Sequence, residues 1–341
     1  MKDQVKRFII RHSFLEYALF AFYHIKNAKY VRLESERRKA VSLFDCDQLC
    51  DALPYGPFER VIDNNLYGHA YQIREYAGLK TDLKAYLEHG LFWGGMLHAD
   101  EYHWHFKRVI TFSSNRKRDI EEKLPTKRAV PIGPYIHYAK GVLDASSFVV
   151  LKKQLGKVLL VFPAHSVLNV EASFDVNLFL DEVERIKTAY DTVLVSLYFI
   201  DAKNLEARRV YEERGFRIVT SGHRYDLYFI SRQRSLIELA DMTMSNEVGT
   251  HVGNCIHLGK PHYIFQQKTE RISQKKGELE RHSSLFTTEE MNLVEIQKAE
   301  VLDVFSQFND RGISALQRQI VDKYWGLSET KTAEELAELF G

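Results

Sequence analysis

The stretch ADMTMSNEVGTHVGNCIHLGKPHYIF, from Ala240 to Phe265, contains the pattern that decides the fold. It begins with an apolar strand pattern and passes through small and polar residues into a stretch with helical spacing of its apolar side chains. After Gly259 a second apolar strand pattern follows. A strand, a polar turn, a helix and another strand in this order predict a βαβ unit with two parallel strands.

The same alternation extends outward through the second half of the chain. The apolar stretches KVLLVFPAHS (157–166), DTVLVSLYFID (191–201) and FRIVTSG (216–222) read as strands, and amphipathic helix patterns separate them. Apolar strands between helices are typical of a parallel sheet covered on both faces, so the fold class is α/β. The first half mixes helices and short strands, and residues 269–284 are charged and predict a surface loop or helix.

Length, composition and net charge limit the classes of protein to which this chain can belong. A chain of 341 residues with 45% hydrophobic and 27% charged residues fits a soluble globular protein of two domains. The formal net charge is only +1, so no overall field attracts nucleic acid, and we expect no nucleic-acid partner. The three cysteines, Cys46, Cys50 and Cys255, fit buried thiols in a reducing compartment better than disulfides. With no secretory signal pattern, a cytoplasmic location is the expectation.

The N-terminal stretch 8–25 is apolar but contains Arg11, His12 and Glu16. It is too polar and too short for a membrane-spanning helix and suits an amphipathic helix. We favour a helix that packs on its own domain. The alternative is peripheral contact of this helix with anionic lipid at the inner face of the membrane.

Three polar loops follow strand patterns of the second half: 162–166, 220–226 and 245–250. Ligands of parallel sheets lie beyond the carboxyl ends of the strands, and a helix that begins there directs its positive end at an anion. One such loop is as often a helix cap as a binding site, but three at one sheet edge favour a ligand such as a nucleotide. The residues expected to contact it are His165, Ser166, Ser221, Gly222, Arg224, Ser245, Asn246, Glu247, Gly249 and Thr250.

The stretch 220–265 resembles the nucleotide-binding half of GT-B glycosyltransferases, in particular enzymes that assemble bacterial capsule, O-antigen and related surface polysaccharides. In that group a strand ending in Ser-Asn leads to Gly-Thr, a helix and Leu-Gly-Lys-Pro, as it does here between Ser245 and Pro261. The resemblance implies two Rossmann-like domains facing a cleft, with C-terminal helices packing back across them. It assigns residues 1–145 to acceptor binding, 146–310 to nucleotide-sugar binding and 311–341 to the returning helices.

Within this group the chain is most similar to transferases that use CMP-activated ulosonic acids, such as 3-deoxy-octulosonate or nonulosonates. The similarity rests on the loop with His223 and on Glu247, which has no second glutamate seven positions away. The implied partners are a nucleotide sugar and a glycan or lipid-linked glycan acceptor. The alternatives are a transferase for UDP-sugars, GDP-sugars or CDP-polyol phosphates, and a nucleotide-binding protein without catalysis.

Glycosyl transfer requires stabilisation of a leaving phosphate and, for inversion, a base for the acceptor hydroxyl. Glu88 and His89 follow a strand pattern of the first half and are candidate bases, with a structural role as the alternative. His223 is the candidate that donates to the phosphate or the sugar carboxylate. Arg224 pairs with either anion or forms an ordinary salt bridge.

We expect no required metal or other cofactor beyond the donor substrate. Asp45 and Asp47 form an Asp-x-Asp pattern, but a helix cap explains it. The histidine-rich stretch 98–105 matches no zinc spacing and is predicted to help hold the acceptor.

Overall fold

The computed structural model describes residues 12–97, 106–167, 170–273 and 287–341. The first half contains a small sheet of three parallel strands in the order β1-β2-β3. These are β1 (Tyr86–Leu87), β2 (Arg108–Thr111) and β3 (Arg128–Pro131). Pro131 lies in edge strand β3, as expected for a residue that cannot donate to a ladder on both sides.

The second half contains a sheet of five parallel strands in the order β7-β6-β4-β8-β9. Its strands are β4 (Val158–Phe162), β6 (Thr192–Ser196), β7 (Arg217–Val219), β8 (Met242–Ser245) and β9 (His262–Ile264). Strands β8 and β9 pair in parallel with Thr243 opposite His262, which confirms the βαβ unit predicted from residues 240–265.

Helices cover both faces of the larger sheet. They are α6 (Ala145–Leu155), α7 (Val176–Lys187), α8 (Phe199–Lys203), α9 (Leu205–Glu212), α10 (Phe229–Leu239) and α11 (Thr250–His257). Leu160 of β4 packs in one apolar cluster with Leu236 of α10 and Val252 of α11. Its neighbour Leu159 points to the opposite face and packs in a second cluster with Phe179 of α7. This burial of successive side chains on two faces explains why β4 reads as a continuous apolar run.

Short polar side chains cap many of the helices. Asp45 accepts a hydrogen bond from the Gln48 amide at 3.0 Å and begins α3 (Cys46–Cys50), which confirms its predicted capping role. The helices of the small sheet are α4 (His69–Ala77) and α5 (Ser114–Lys123). Gly78 ends α4 with a left-handed φ of 66°, a conformation that glycine adopts without strain.

Three C-terminal helices join the two halves. They are α12 (Thr288–Phe305), α13 (Ala315–Trp325) and α14 (Ala333–Phe340). The Trp325 ring of α13 is fully buried, lies 5.9 Å from the Trp93 ring of the first half, and packs over Gly253 in α11 of the second half. Near the end of α14, Arg108 of β2 donates to the Leu339 carbonyl oxygen. The predicted return of the C-terminal helices across both halves is therefore confirmed.

The antiparallel ribbon of β5 (Val170–Phe174) and β10 (Thr269–Ser273) corrects the expectation of a loop or helix at the start of residues 269–284. Thr269 pairs with Phe174 and Ser273 pairs with Val170. Strand β10 carries a single apolar side chain, Ile272, and its partner is distant in the sequence. Hydrophobic periodicity therefore carried no signal for it.

One long helical segment precedes the first sheet. It comprises α1 (Ser13–Tyr23), a π-helical turn (His24–Ala28) and α2 (Lys29–Lys39). Helix α2 packs through its buried Val31 against Leu227 and Tyr228, and the Leu227 amide donates to Ser35 Oγ at 3.3 Å. Among the described residues, no helix combines the length and apolar character needed to cross a bilayer.

Helix α3 packs away from the small sheet. Its Cys46 and Cys50 are buried in the cluster that contains Leu159 and Val193 of the larger sheet. Burial raises the pKa of the Cys46 thiol to about 12 and that of Cys50 to about 11, so both are neutral core side chains. Helix α3 precedes residue 145 in the chain, yet its cysteines belong to the core of the larger sheet. The division of the chain into domains at residue 145 remains a prediction.

Candidate functional site

The strand order of the larger sheet contains a topological switch. The chain starts at central strand β4, builds outward through β6 and β7, and then returns to place β8 and β9 on the other side of β4. Crevices form where neighbouring connections leave in opposite directions, and ligands of such sheets bind there. The loops after β4 and β8 meet at this point, because the Ala164 amide donates to Asn246 Oδ1 at 2.6 Å.

Helix α11 begins at this switch point. Gly249 precedes its first turn, and the helix has 8 residues. The first amides of an α-helix have no partner within the helix, and they carry the positive end of its dipole. The predicted anion-binding turn therefore lies at the switch point, with Gly249 and Thr250 at the mouth of α11.

Two of the predicted hydroxyls at this turn have protein partners. Ser245 is fully buried, with its Oγ 2.9 Å from the Glu247 carbonyl oxygen and 3.0 Å from His262 Nε2. The Thr250 hydroxyl accepts a hydrogen bond from the Leu91 amide of the first half at 3.0 Å. Ser245 thus stabilises the turn, and Thr250 joins the mouth of α11 to the loop after β1.

Two buried polar groups beside the turn have no hydrogen-bond partner among the residues that the structure describes. They are the Asn246 side-chain nitrogen and His251 Nε2. Asn246 is 4% exposed, and the His251 ring stacks on Phe162 at the end of β4 with a centroid distance of 5.0 Å. Leaving a buried polar group unpaired costs about 1–3 kcal/mol, so such groups call for a ligand or another specific role. His251 is a candidate that was not predicted from the sequence, although it is the second residue of the helix that was predicted to receive the anion.

Hydrogen bonds join the loop after β4 to the ribbon of β5 and β10. Arg271 of β10 forms an ion pair with Glu247 at 2.6 Å and donates to the His165 carbonyl oxygen at 2.6 Å. The Ser166 amide donates to Asp201 at 3.0 Å, and its Oγ accepts from Ala172 of β5. The predicted residues His165, Ser166 and Glu247 are therefore brought together, with Glu247 neutralised by an arginine.

A cavity of 580 Å³ opens beside this loop, between the ribbon and helices α8 and α9. Its wall is largely apolar, with Val170, Phe174 and Ile200 among the lining residues. Polar groups also line it: His165, Ser166, Glu171, Asp201 and Asn204. An apolar cavity with a few polar groups has the general character of a small-molecule site.

Aromatic rings connect the strand ends of the two sheets. Tyr67 of the first half has its hydroxyl 3.3 Å from that of Tyr198, which follows β6. The Tyr67 ring lies 6.3 Å from His89, and the Tyr198 ring lies 5.0 Å from His165. Together with the Thr250–Leu91 hydrogen bond, these contacts show that the carboxyl ends of both sheets face each other. The predicted two-unit α/β architecture is confirmed.

The two first-half candidates, Glu88 and His89, differ sharply in environment. Glu88 is 1% exposed, forms an ion pair with Arg116 at 2.6 Å and accepts a hydrogen bond from the Thr111 hydroxyl at 2.6 Å. Its neighbour His89 is half-buried, and its Nδ1 is a buried atom without a hydrogen-bond partner in the described part of the chain. The surroundings of Glu88 favour a structural role, whereas this His89 nitrogen is not engaged by any of those residues. A catalytic role for either residue remains a prediction.

The loop 220–226 packs beneath α3. The His223 amide donates to the Leu49 carbonyl oxygen at 2.9 Å, and a Cβ at Gly222 would lie 3.0 Å from the same oxygen. Ser221 is buried and its carbonyl oxygen accepts from Arg232 at 2.8 Å. Ser221, Gly222 and His223 are thus enclosed by protein, so a direct ligand contact remains a prediction for all three.

Arg224 is the more accessible member of this loop. Its carbonyl oxygen accepts from the Tyr67 amide at 2.7 Å, and its guanidinium lies over the Tyr225 ring at 4.9 Å. Within the described residues no carboxylate forms an ion pair with it. Its charge is therefore available beside the aromatic contact between the sheets. The predicted acceptor loop 98–105 lies outside the described residues.

No protein-family model matches this chain. No curated protein matches it either. Among similar solved structures, S. aureus MnaA with UDP has 12% identity and a TM-score of 0.37, covering 77% of this chain and 83% of that chain. UDP-GlcNAc 2-epimerase from Neisseria meningitidis bound to UDP-GlcNAc has 13% identity and a TM-score of 0.33, covering 80% and 83%. The glycotransferase of kitacinnamycin has 15% identity and a TM-score of 0.29, covering 68% and 54%. These values are too low to transfer an activity.

Burial holds several histidines near this site neutral. It lowers the pKa of His251 to about 3, that of His69 to about 3 and that of His223 to about 4. Near pH 7 these imidazoles therefore carry no charge, and His251 can offer a neutral ring nitrogen to a ligand.

We expect the folded state to lose stability as the pH falls below about 6.5, the ordinary histidine pKa. An unfolded histidine binds its proton near that pH, but folded His69 binds it only near 3. Stability is thus fully present above the unfolded value and falls by about 1.4 kcal/mol per pH unit below it for each such group. Urea unfolding at about pH 7.5 and about pH 5 measures the loss. His69→Phe should lose less between the two pH values, and an equal loss in both proteins would refute the assignment.

Proposed function

We propose that this protein is a glycosyltransferase that binds a nucleotide sugar where its two sheets meet and transfers the sugar to a glycan or lipid-linked glycan acceptor. The proposal joins the sequence resemblance of residues 220–265 to the geometry of the switch point. The observation that carries it is the pair of unpartnered buried groups, Asn246 Nδ2 and His251 Nε2, at the mouth of α11. A phosphate with adjacent sugar hydroxyls supplies both the acceptor and the donor that these groups lack.

The phosphate fits the donors of this turn. The Asn246 side-chain nitrogen is a donor, since its oxygen already accepts from the Ala164 amide. The first amides of α11 add further donors at the positive end of the helix. Arg224 lies on a neighbouring loop with an available charge. Such fixed donors stabilise the negative charge that develops on a leaving phosphate.

His251 suits a hydroxyl. The Glu247 carbonyl oxygen near its ring favours the proton on Nδ1, and this tautomer leaves Nε2 as a hydrogen-bond acceptor. A sugar or ribose hydroxyl donates to such a nitrogen. The cavity beside His165 and Ser166 then has the volume for a further part of the donor, either the nucleoside or the sugar.

In the transfer step, the acceptor oxygen forms a bond to the anomeric carbon and the bond from that carbon to the phosphate oxygen breaks. The nucleotide leaves with the electron pair, and the acceptor proton passes to a base. We assign the base to His89, because none of the described residues pairs with its Nδ1 while both Glu88 oxygens accept hydrogen bonds. A CMP-linked ulosonic acid is the donor that the sequence resemblance favours.

A conservative substitution at Asn246 tests nucleotide binding. Asn246→Asp keeps an oxygen for the Ala164 amide but replaces the donor nitrogen with a negatively charged oxygen. We expect it to weaken nucleotide binding at least about tenfold, which corresponds to about 1.4 kcal/mol. Isothermal titration with CMP, CDP, UDP, UDP-GlcNAc and GDP measures the change and identifies the preferred base.

Asn309→Asp is the matched control, because Asn309 is exposed, accepts from the Arg311 amide through the same side-chain oxygen, and lies outside the site. The control should bind as the wild type does. Wild-type affinity in Asn246→Asp, or no response of the wild type to any nucleotide, would remove the proposal. Transfer assays with the preferred donor then separate catalysis from binding alone, and His89→Ala should abolish transfer while leaving the nucleotide affinity unchanged.

A further inference from the structure

The outer face of the N-terminal helical segment is unusually apolar. The side chains exposed there include Phe14 at 77% and Ile25 at 81% of their full accessible surface. We define the N-terminal face as the exposed apolar side chains Phe14, Leu15, Phe22, Ile25, Tyr30 and Leu33. Phe14, Phe22 and Ile25 share one side of the helix, since they follow helical spacing from position to position.

Helix α1 and the turn after it expose apolar side chains to water and bury an acidic one. Glu16, a carboxylate, is only 8% exposed, while phenylalanine and isoleucine side chains point outward. Exposing apolar surface to water is unfavourable, and contiguous apolar surface generally marks an interaction site. The inverted pattern therefore indicates that another phase or molecule covers the N-terminal face.

Charge identifies the covering partner. Lys26, Lys29 and Arg32 are exposed on the same helical segment, and none forms an ion pair with a carboxylate in the described part of the chain. The only acidic residue between Ser13 and Leu33 is Glu16, and it is turned inward. The exposed surface between Ser13 and Leu33 is thus apolar and cationic, and the carboxylates of this segment other than Glu16, namely Glu34 and Glu36, lie further along α2.

We propose that the N-terminal face docks on a membrane surface rich in anionic lipids. The apolar side chains enter the boundary between headgroups and acyl chains, and the three cations lie at the level of the phosphates. Each cation near an anionic surface strengthens the binding. Tyr30 suits the headgroup level, where an aromatic ring with a polar tip is favourable.

A second copy of this chain fits the face less well. Two such faces packed together would bring lysines and arginines of both copies close to one another, and between Ser13 and Leu33 no exposed carboxylate compensates them. Anionic headgroups supply the missing negative charge.

Membrane docking would place the candidate site near the lipid surface. The Tyr23 ring of α1 contacts Tyr55 at 5.5 Å, and Tyr55 contacts Tyr225 in the loop 220–226 at 5.6 Å. The segment therefore lies directly behind a loop of the site. This docking does not depend on the proposed chemistry, and its test requires no nucleotide.

Co-sedimentation of the full chain with vesicles tests the docking. Vesicles of phosphatidylcholine alone are compared with vesicles containing about a third phosphatidylglycerol. The wild type should bind the anionic vesicles more tightly, and salt should weaken this binding. Phe22→Asp/Ile25→Asp should reduce the binding at least about tenfold, since two charges replace two inserting side chains. Lys26→Glu/Lys29→Glu should remove the preference for anionic vesicles.

Val149→Asp/Val150→Asp on α6 is the matched control, because both valines are exposed, at 64% and 57%, on a helix away from this face. It should bind vesicles as the wild type does, and circular dichroism should show that all variants fold. Two results would overturn the docking: no binding of the wild type to anionic vesicles, or equal binding of wild type and Phe22→Asp/Ile25→Asp. If the first result came together with a fall in molar mass in that variant, the face would be assigned to a second copy.

Discussion

Arg116→Met should lower the free energy of unfolding by about 3–5 kcal/mol, because it leaves a buried carboxylate without its cation. The side chains of Arg116 and Glu88 are 4% and 1% exposed and approach to 2.6 Å. Arg116 also donates to the carbonyl oxygens of Gly94 at 2.6 Å and Met96 at 3.0 Å. Its loss therefore leaves several acceptors in the segment after β1 unsatisfied. Urea unfolding followed by circular dichroism measures the effect.

Arg118→Met is the matched control, since Arg118 is an exposed residue of the same helix. It should change stability by no more than about 0.5 kcal/mol. Glu88→Gln in the Arg116→Met background should restore part of the loss, because it removes the unpaired charge. Wild-type stability in Arg116→Met would contradict the structural role of the pair. Glu88→Gln alone distinguishes a structural role of Glu88 from a catalytic one. A stable Glu88→Gln protein without transfer activity would indicate that Glu88, and not His89, is the base.

Trp325→Ala should cost about 3–5 kcal/mol, the range for truncating a fully buried tryptophan. The ring is fully buried, contacts Trp93 and Tyr324, and covers Gly253 of α11. Its removal opens a cavity at the point where the C-terminal helices join the two halves. Thermal and urea unfolding should both show the loss.

Gly253→Ala provides the companion variant. A Cβ at Gly253 would lie 2.1 Å from Trp325 Cδ1, so the alanine alone should destabilise the protein by about 1–3 kcal/mol. In the Trp325→Ala background the clash disappears, and alanine should stabilise α11 by up to about 1 kcal/mol through its higher helix propensity. The sign of the Gly253→Ala effect should therefore reverse between the two backgrounds. The same sign in both would show that Gly253 and Trp325 are not in contact.

The larger sheet could be predicted from the sequence because each of its signals is local. Apolar runs, helix patterns and the polar turns at 162–166 and 245–250 appear within short windows. Parallel βαβ topology then places these turns at one edge. The structure adds what joins them, the 2.6 Å hydrogen bond from the Ala164 amide to Asn246.

The remaining features depend on contacts between distant residues. The sequence placed Glu88 after a strand but contained no sign that Arg116, 28 positions away, occupies its carboxylate. Likewise, the burial of Ser221 and Gly222 under α3 follows from a helix that precedes them by more than half the chain. Ribbon strand β10 carries a single apolar side chain, Ile272, and therefore has no hydrophobic periodicity. Local patterns describe elements, whereas burial and pairing are properties of the assembled core.

The hydrogen bond between the Leu91 amide and Thr250 Oγ1 has a consequence for motion. The amide nitrogen and the hydroxyl oxygen are 3.0 Å apart and join the loop after β1 to the first turn of α11. Trp325 packs against Gly253 of the same helix. The two halves of the chain therefore cannot separate at this edge without breaking this hydrogen bond and exposing the Leu91 amide proton to solvent. The rate of deuterium exchange at the Leu91 amide would thus measure how often the two halves separate.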